Sequence, residues 1–260
     1  MNTAGLTRPD VWREAYDLKR AREYDRLMPL MTLDHAAALE AVVDMMGRSA
    51  SASLKIFELG AGTGLLTQRI LERYPGAEVE GIDGSQEMLA MARRKLSSFN
   101  KRLTLRRSSF QEYNWDSLAA GAYHAVVSSF SLHHLDHGVV PGLFDRLARI
   151  LAPGGRLIIA DYVASPYPRL QRRYEDLWVE ARRANLNKTF GLALTKEQVW
   201  KDHEAAKKAE GDNPALLDDL LKWLASAGLE EVECYWKNFC YAVYGGVKLG
   251  GFSIASTLET

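Results

Sequence analysis

Residues 54–64 read LKIFELGAGTG, a short apolar run that ends in a glycine-rich turn. The run predicts a buried strand, and the apolar spacing that follows the turn predicts a helix over 64–73. Glycine lets the backbone turn tightly and approach a ligand without obstruction from Cβ. The turn has the spacing Gly-x-Gly-x-Gly, and Leu65 stands where the dinucleotide fingerprint places its next glycine. A ligand-binding loop between a strand and a helix is the first expectation.

Strand-like and helix-like segments alternate after this loop. The alternation predicts an α/β fold with a Rossmann-like parallel sheet that is covered by helices on both faces. Several strand-like runs are apolar at consecutive positions, as a sheet buried on two sides requires. The predicted strands are 77–83, 102–108, 123–130 and 155–163, and the helices between them are 85–97 and 141–151.

The pattern changes after the last of these strands. Residues 164–212 are charged and rich in aromatic residues, which is typical of a helical lid or insertion. A helix over 214–227 then leads into two strand-like runs, whose link at Lys237-Asn238 favours an antiparallel hairpin. The predicted organisation is an N-terminal helical cap (1–50), a ligand-binding core (51–163), the insertion (164–212) and a last helix with the hairpin (213–260).

Composition excludes several classes of protein. Among 260 residues, 33 Lys and Arg balance 33 Asp and Glu, so net charge gives no argument for binding nucleic acid or an anionic membrane. Two cysteines exclude a disulfide scaffold and a four-thiolate zinc site. No apolar run approaches the ~20 residues that span a bilayer, and the N-terminus lacks a signal-peptide pattern. We expect a soluble cytoplasmic protein, monomeric or homodimeric, without membrane association.

The second predicted strand ends in Asp83, nineteen residues after Gly64. A carboxylate at that position can accept hydrogen bonds from both hydroxyls of a ribose. The glycine loop and this acid together predict a nucleoside-containing ligand at the C-terminal edge of the sheet. The alternative is a helix N-cap, because Asp83-Gly84-Ser85 opens a helix.

Four successive motifs resemble those of one enzyme family. They are ELGAGTG (58–64), GIDGSQEML (81–89), VVSSFSLHHL (126–135) and LAPGGRLIIAD (151–161). Over 54–163 their order and spacing resemble the class I S-adenosylmethionine-dependent methyltransferases, and most closely the ubiquinone and menaquinone C-methyltransferase group. The resemblance implies S-adenosyl-L-methionine as cofactor, S-adenosyl-L-homocysteine as product, and a seven-stranded sheet of order 3-2-1-4-5-7-6 with the seventh strand antiparallel.

The resemblance also implies a cofactor site. Glu58 and the glycine loop would hold the methionine portion of the cofactor, and Asp83 would bind the ribose. The end of the fourth strand would face the methyl group. The family usually has an acid before the aromatic residue that follows strand three; here Ser109 stands there, so a serine, a backbone group or Gln111 would replace it. The implied residues are Glu58, Gly60, Ala61, Gly62, Thr63, Gly64, Asp83, Gly84, Ser85, Met88, Ser109, Phe110, Ser128 and Phe130.

Methyl transfer is an in-line displacement that needs no metal, and alignment with exclusion of water supplies most of the acceleration. A general base helps where the acceptor loses a proton early, as a phenol does. The candidates are His133, His134, Asp161, Tyr162 and His203. The His133-His134-x-x-His137 spacing is compatible with metal ligation, but a structural role is the alternative and no metal is expected. Tyr16 and Tyr24 either cover the cofactor or pack within helices.

Two features leave the substrate class open. The run 93–107 holds seven basic residues and no acid, which suits either a tRNA footprint or a solvated outer face. The segment YWKNFCYAVYGGVK (235–248) resembles the tail of bacterial enzymes that carboxymethylate the tRNA wobble uridine. We expect a small-molecule acceptor enclosed by 1–50 and 164–212. The alternatives are a tRNA-modifying methyl- or carboxymethyltransferase, a non-catalytic regulator that binds the cofactor, and a nicotinamide dehydrogenase, against which Leu65 argues.

Overall fold

A computed structural model describes residues 18–49 and 51–250, with side chains from residue 22 onward. The strands are β1 (Leu54–Leu59), β2 (Ala77–Asp83), β3 (Leu103–Arg107), β4 (Tyr123–Ser129), β5 (Leu151–Tyr162), β6 (Glu230–Asn238) and β7 (Tyr241–Lys248). They form one seven-stranded sheet of order β3-β2-β1-β4-β5-β7-β6. β7 runs antiparallel to both β5 and β6, whereas β1 to β5 pair in parallel. The predicted α/β fold and strand order are confirmed.

Helices cover both faces of the sheet. They are α1 (Leu18–Met31), α2 (His35–Met45), α3 (Leu65–Arg73), α4 (Gln86–Lys95), α5 (Val140–Ile150), α6 (Pro168–Phe190), α7 (Lys196–Glu210) and α8 (Leu217–Ser226). One core cluster joins α2, α3 and the inner sides of α6 and α7 to one face, and a second joins α5 and α8 to the other. β1 is buried at five of its six positions because it pairs with β2 and β4 and is covered above and below.

The hairpin turn lies two residues later than the sequence predicts. Lys237 and Asn238 pair with Ala242 and Tyr241 as part of the ladder, so Phe239 and Cys240 make the turn. Phe239 has φ 52° and packs against Tyr174 of α6, with ring centroids 5.5 Å apart. This tertiary contact stabilises a turn at residues that carry no local turn signal.

Gly245 marks a very close approach between β7 and β5. A Cβ built on Gly245 would lie 2.0 Å from the carbonyl oxygen of Leu157, a backbone atom that cannot move aside. Gly142, near the start of α5, has no heavy atom of the described residues within 4 Å of such a Cβ. A side chain at Gly245 would therefore clash with β5, whereas Gly142 has room for one.

Gly245→Ala should lower the free energy of unfolding by about 3 kcal/mol, because overpacking against backbone forces the strands apart. Gly142→Ala should raise it by about 0.5–1 kcal/mol, because alanine has the higher helix propensity and restricts the unfolded chain. Urea unfolding followed by circular dichroism measures both. Equal stabilities for the two variants would contradict the close approach of β7 to β5.

Candidate functional site

The glycine loop after β1 requires glycine at three positions. Gly60, Gly62 and Gly64 have φ of 65°, 54° and 80°, a region that other residues rarely adopt. A Cβ on Gly60 would also lie 2.5 Å from Oγ of Ser131. The N–H of Ala61 donates to the carbonyl of Ile82 at 3.0 Å, which ties the loop to the end of β2. The loop thus presents bare backbone at the C-terminal edge of the sheet.

The carboxylate of Asp83 joins this loop to the start of α4. Its Oδ2 accepts the N–H of Gly62 and its Oδ1 accepts the N–H of Ser85, each at 2.8 Å. Burial raises the pKa of Asp83, and the two backbone donors oppose that rise. The N-cap of α4 is Ser85, whose Oγ accepts the N–H of Met88. Each oxygen of Asp83 retains a lone pair, so the pair can still accept two hydroxyls of a ligand.

A cavity of about 650 Å³, here named the cofactor cavity, opens beside the loop. Nine of the predicted cofactor residues line it, namely Gly60, Gly62, Asp83, Gly84, Ser85, Met88, Ser109, Phe110 and Phe130. Seven residues outside the predicted set complete the lining, namely Tyr24, Ser108, Gln111, Ser129, Ser131, His134 and Leu135. An acid between bare backbone, apolar side chains and small hydroxyl groups fits the ribose, base and sulfonium group of an adenosyl sulfonium compound.

Five predicted cofactor residues lie behind the cavity wall, namely Glu58, Ala61, Thr63, Gly64 and Ser128. Glu58 is fully buried, and its Oε2 accepts Oγ1 of Thr67 at 2.5 Å. Its Oε1 has no partner among the described residues, and burial raises its pKa to about 8. Ser128 donates to the carbonyl of Leu59 at 3.1 Å. These contacts hold the loop in place, and direct binding of the cofactor by this group stays a prediction.

The segment after β3 places four residues in the cofactor cavity where the family motif has an acid. Ser109 exchanges two hydrogen bonds with Glu112, from its Oγ to Oε2 at 2.8 Å and from the N–H of Glu112 to its Oγ at 3.2 Å. Gln111 lines the cavity beside Phe110. Ser109 is therefore occupied locally, and Gln111 is left as a side chain that can reach a ligand.

A second cavity of about 750 Å³ adjoins the first, and Tyr24 and Phe130 line both. Three of the catalytic candidates, His133, Tyr162 and His203, line this second cavity. His134 lines the cofactor cavity, and Asp161 is buried behind His133. The remaining lining residues are Met28, Met31, Thr32, Glu175, Trp178, Arg182, Ala206, Lys207, Glu210, Asp212, Cys240 and Tyr241.

His133 and Asp161 form a close pair between the sheet edge and the second cavity. Nδ1 of His133 lies 2.5 Å from Oδ1 of Asp161. Asp161 also accepts three backbone N–H groups at 2.8–3.0 Å, those of Leu132, His133 and Tyr162. Because Nδ1 of His133 faces an oxygen of this carboxyl group, Nδ1 carries a proton and Nε2 is the basic nitrogen.

The pKa of His133 is raised to about 9. Burial lowers it, but the charge and hydrogen bond of Asp161 outweigh that effect, and Asp212 adds to them. Burial and the neighbouring charge of His133 lower the pKa of His134. Burial likewise lowers the pKa of His203 to about 4 and raises that of Tyr162 far above its ordinary value.

The histidine spacing does not place all three rings together. His137 turns away to the carbonyl of Asn213 at 3.0 Å. Asp212 takes its place, with Oδ1 3.4 Å from Nδ1 of His134 and 3.8 Å from Nε2 of His133. His133, His134 and Asp212 could therefore hold a cation, as could Glu175, His203 and Glu204. The expected lack of a metal stays a prediction.

Sequence reasoning missed Asp212 and the helical residues Trp178, Arg182 and Lys207. Nearly eighty positions separate Asp212 from His133, and the N–H of Asn213 reaches the carbonyl of His133 only through folding, at 2.7 Å. No spacing in the sequence signals that contact. Tyr24, a candidate cover, does line both cavities, whereas Tyr16 lies outside the described residues.

The basic run 93–107 is largely occupied by contacts within the chain. Arg102 donates to three carbonyls at 3.0–3.2 Å, and Lys95 and Arg106 pair with Asp25 and Glu80. Arg93 and Arg107 reach carbonyl oxygens at 2.9 and 3.3 Å. Five of the seven cations thus stabilise the fold, which removes the main argument for a tRNA footprint.

The family model described as a methyltransferase domain matches residues 56–155. This part of the chain carries the glycine loop, Asp83 and the turn after β4 that contains His133. The sheet order and the cofactor cavity agree with it. Residues 56–155 carry a methyltransferase domain, and the chain resembles the class I S-adenosylmethionine-dependent methyltransferases. S-adenosyl-L-methionine is therefore its cofactor.

Relatives of this methyltransferase include quinone-modifying enzymes. A demethylmenaquinone methyltransferase of Clavibacter sepedonicus is 29% identical over 245 residues, covering 88% of this chain and 86% of that protein. A ubiquinone/menaquinone biosynthesis C-methyltransferase of Syntrophotalea carbinolica is 31% identical over 156 residues, covering 59% and 62%. A solved phosphoethanolamine N-methyltransferase of Haemonchus contortus shares the fold, with TM-score 0.64 and 16% identity over 88% of this chain and 46% of that one.

Among the described helices, none combines the length and the apolar character that crossing a membrane requires.

Asp83→Ala should weaken binding of S-adenosylhomocysteine to the methyltransferase at least about 100-fold. Each hydrogen bond to a charged acceptor contributes about 1.5–3 kcal/mol, and two are lost. Isothermal titration calorimetry measures the dissociation constant, and Asp116→Ala, which removes an exposed carboxylate outside both cavities, is the control. An unchanged dissociation constant for a folded Asp83→Ala protein would contradict the ribose role of this acid.

Proposed function

We propose that this methyltransferase methylates a ring carbon of a hydroxylated, quinol-type small molecule bound in the second cavity. The observation that carries the proposal is the position of His133. It lines the second cavity, which shares the lining residues Tyr24 and Phe130 with the cofactor cavity, and its ring is held by Asp161. The names of the quinone-modifying relatives support a ring carbon as the acceptor. The internal pairing of the basic run supports a small acceptor over tRNA.

We assign the cofactor to the first cavity. Asp83 would hold the ribose, Ser85 and Met88 the adenosine, and Gln111 with Ser109 and Phe110 the adenine edge. When bound, S-adenosylmethionine supplies an electrophilic methyl group, whose bond to sulfur breaks as the new carbon–carbon bond of the acceptor forms. The predicted roles of Glu58 and Ser128 are then to fix the loop and the end of β4 around the methionine portion.

His133 would act as the general base. A ring hydroxyl that gives its proton to Nε2 becomes an oxyanion, and the electron density reaches the neighbouring ring carbon, which attacks the methyl group. The hydrogen on that carbon then leaves as a proton to water, and protonated His133 returns its proton to the ring oxygen, which restores the hydroxyl and the free base. Asp161 fixes the tautomer and stabilises the protonated ring of His133. Tyr162 is unsuited to this task because its hydroxyl, raised in pKa, donates to Glu175 at 3.2 Å.

The helices outside the sheet would exclude water from the reaction. Met28 and Met31 of α1, Trp178 of α6 and Ala206 of α7 line the second cavity above the strand ends. Asp25 of α1 accepts hydrogen bonds from Thr63 of the glycine loop and, at 2.7 Å, from Lys95 of α4. This is the arrangement expected of a cap over 1–50 and a lid over 164–212, which we propose as their roles.

The proposed base gives a pH dependence. His133 is protonated below its raised pKa of about 9, so the basic form grows as the pH rises. With naphthohydroquinone as acceptor under anaerobic conditions, kcat/KM should rise roughly tenfold per pH unit from pH 6 and level off near that pKa. His133→Ala should lower kcat by about 100-fold or more. His137→Ala, an exposed ring outside both cavities, is the matched control.

Titration of the acceptor itself must be separated from titration of His133. Asp161→Asn removes the charge that raises the pKa of His133 and should shift the inflection to lower pH. The acceptor hydroxyl titrates at the same pH in both proteins. An inflection that does not move in Asp161→Asn, in protein that still binds S-adenosylhomocysteine, would contradict the role of His133 as base.

A further inference from the structure

Two residues that line the second cavity each carry a buried ring nitrogen with no hydrogen-bond partner among the described residues. The two atoms are Nε1 of Trp178 on α6 and Nε2 of His203 on α7. Both residues are 7% exposed, and their ring centroids lie 4.4 Å apart. A buried donor without a partner costs free energy, so a native structure that keeps two side by side points to a ligand atom between them.

Glu175 and Lys207, two charged residues of this wall, pair with each other. Oε1 of Glu175 accepts hydrogen bonds from Nζ of Lys207 at 2.9 Å, from Nε2 of Gln171 at 3.1 Å and from the hydroxyl of Tyr162 at 3.2 Å. This carboxylate oxygen therefore has little capacity for a ligand. The nearest groups of the wall thus leave the ring nitrogens of Trp178 and His203 without a partner.

The chemistry of the two nitrogens limits the ligand. The indole N–H of Trp178 only donates, and Nε2 of His203 donates or accepts according to the tautomer of the ring. A hydroxyl oxygen can accept from Trp178 and pair with His203 in either tautomer, and a carbonyl oxygen can accept from both rings.

We infer that Trp178 and His203 form a subsite for a second oxygen of the acceptor, on the wall that α6 and α7 build, while His133 on the sheet wall receives the reacting hydroxyl. The inference rests on the proposed function, since it treats the second cavity as the acceptor site. It makes these two residues determinants of specificity for rings that carry two oxygens over rings that carry one.

Two acceptors and one conservative substitution test the subsite. Trp178→Phe keeps a ring and removes the N–H. Its kcat/KM for naphthohydroquinone should fall about tenfold, mainly through KM, and change less than about twofold for α-naphthol, which has a single hydroxyl. His203→Phe should show the same difference between the two acceptors. Trp200→Phe is the matched control, because Trp200 lies beside His203, 5.8 Å between centroids, but does not line the cavity.

The outcomes separate the subsite from the proposed function. An equal loss for both acceptors in Trp178→Phe would overturn the subsite, while turnover of naphthohydroquinone by the unmodified protein would leave the proposed function standing. If the unmodified protein binds S-adenosylhomocysteine but neither binds nor methylates either acceptor, the proposed function fails and the subsite fails with it.

Discussion

The carboxylate of Asp83 is the constraint on which the site depends. It lies at the end of β2 and binds the N–H of Gly62 in the glycine loop and the N–H of Ser85 at the start of α4. The same group therefore fixes two backbone segments that form the cofactor cavity and still presents lone pairs to that cavity. Removal of its charge would affect the shape of the site as well as its affinity, because the loop has three residues in a conformation that only glycine adopts readily.

Phe130 lines both cavities and lies between them. It is a non-glycine residue with φ 52°, a conformation that costs free energy and that surrounding contacts must stabilise. His35 stacks on its ring at 5.2 Å, and Tyr241 meets its edge at 5.9 Å. A strained aromatic residue thus follows β4 directly and is held by α2 and β7. The turn that follows brings the backbone of His133 onto Asp161, where the imidazole acquires its raised pKa.

The fold and half of the site could be predicted because they depend on local pattern. The glycine loop, Asp83 and the strands each carry their signal within ten residues, and the strand order follows from the family resemblance. Only part of the second cavity could be predicted: His133, Tyr162 and His203 were candidates, whereas Trp178 on α6 and Asp212 in the loop after α7 reach the cavity through packing that no local spacing encodes. The predicted position of the hairpin turn was wrong by two residues for the same reason, because the contact between Phe239 and Tyr174 that stabilises the turn is tertiary.

Helix α1 contributes lining residues to both the cofactor cavity and the second cavity. Tyr24 lines both cavities, whereas Met28 lines only the second. Asp25 binds the helix to Thr63 and Lys95 through hydrogen bonds. Displacement of this helix would uncover both cavities together. We therefore expect the exchange of S-adenosylhomocysteine for fresh cofactor and the release of the methylated product to depend on the same movement of α1.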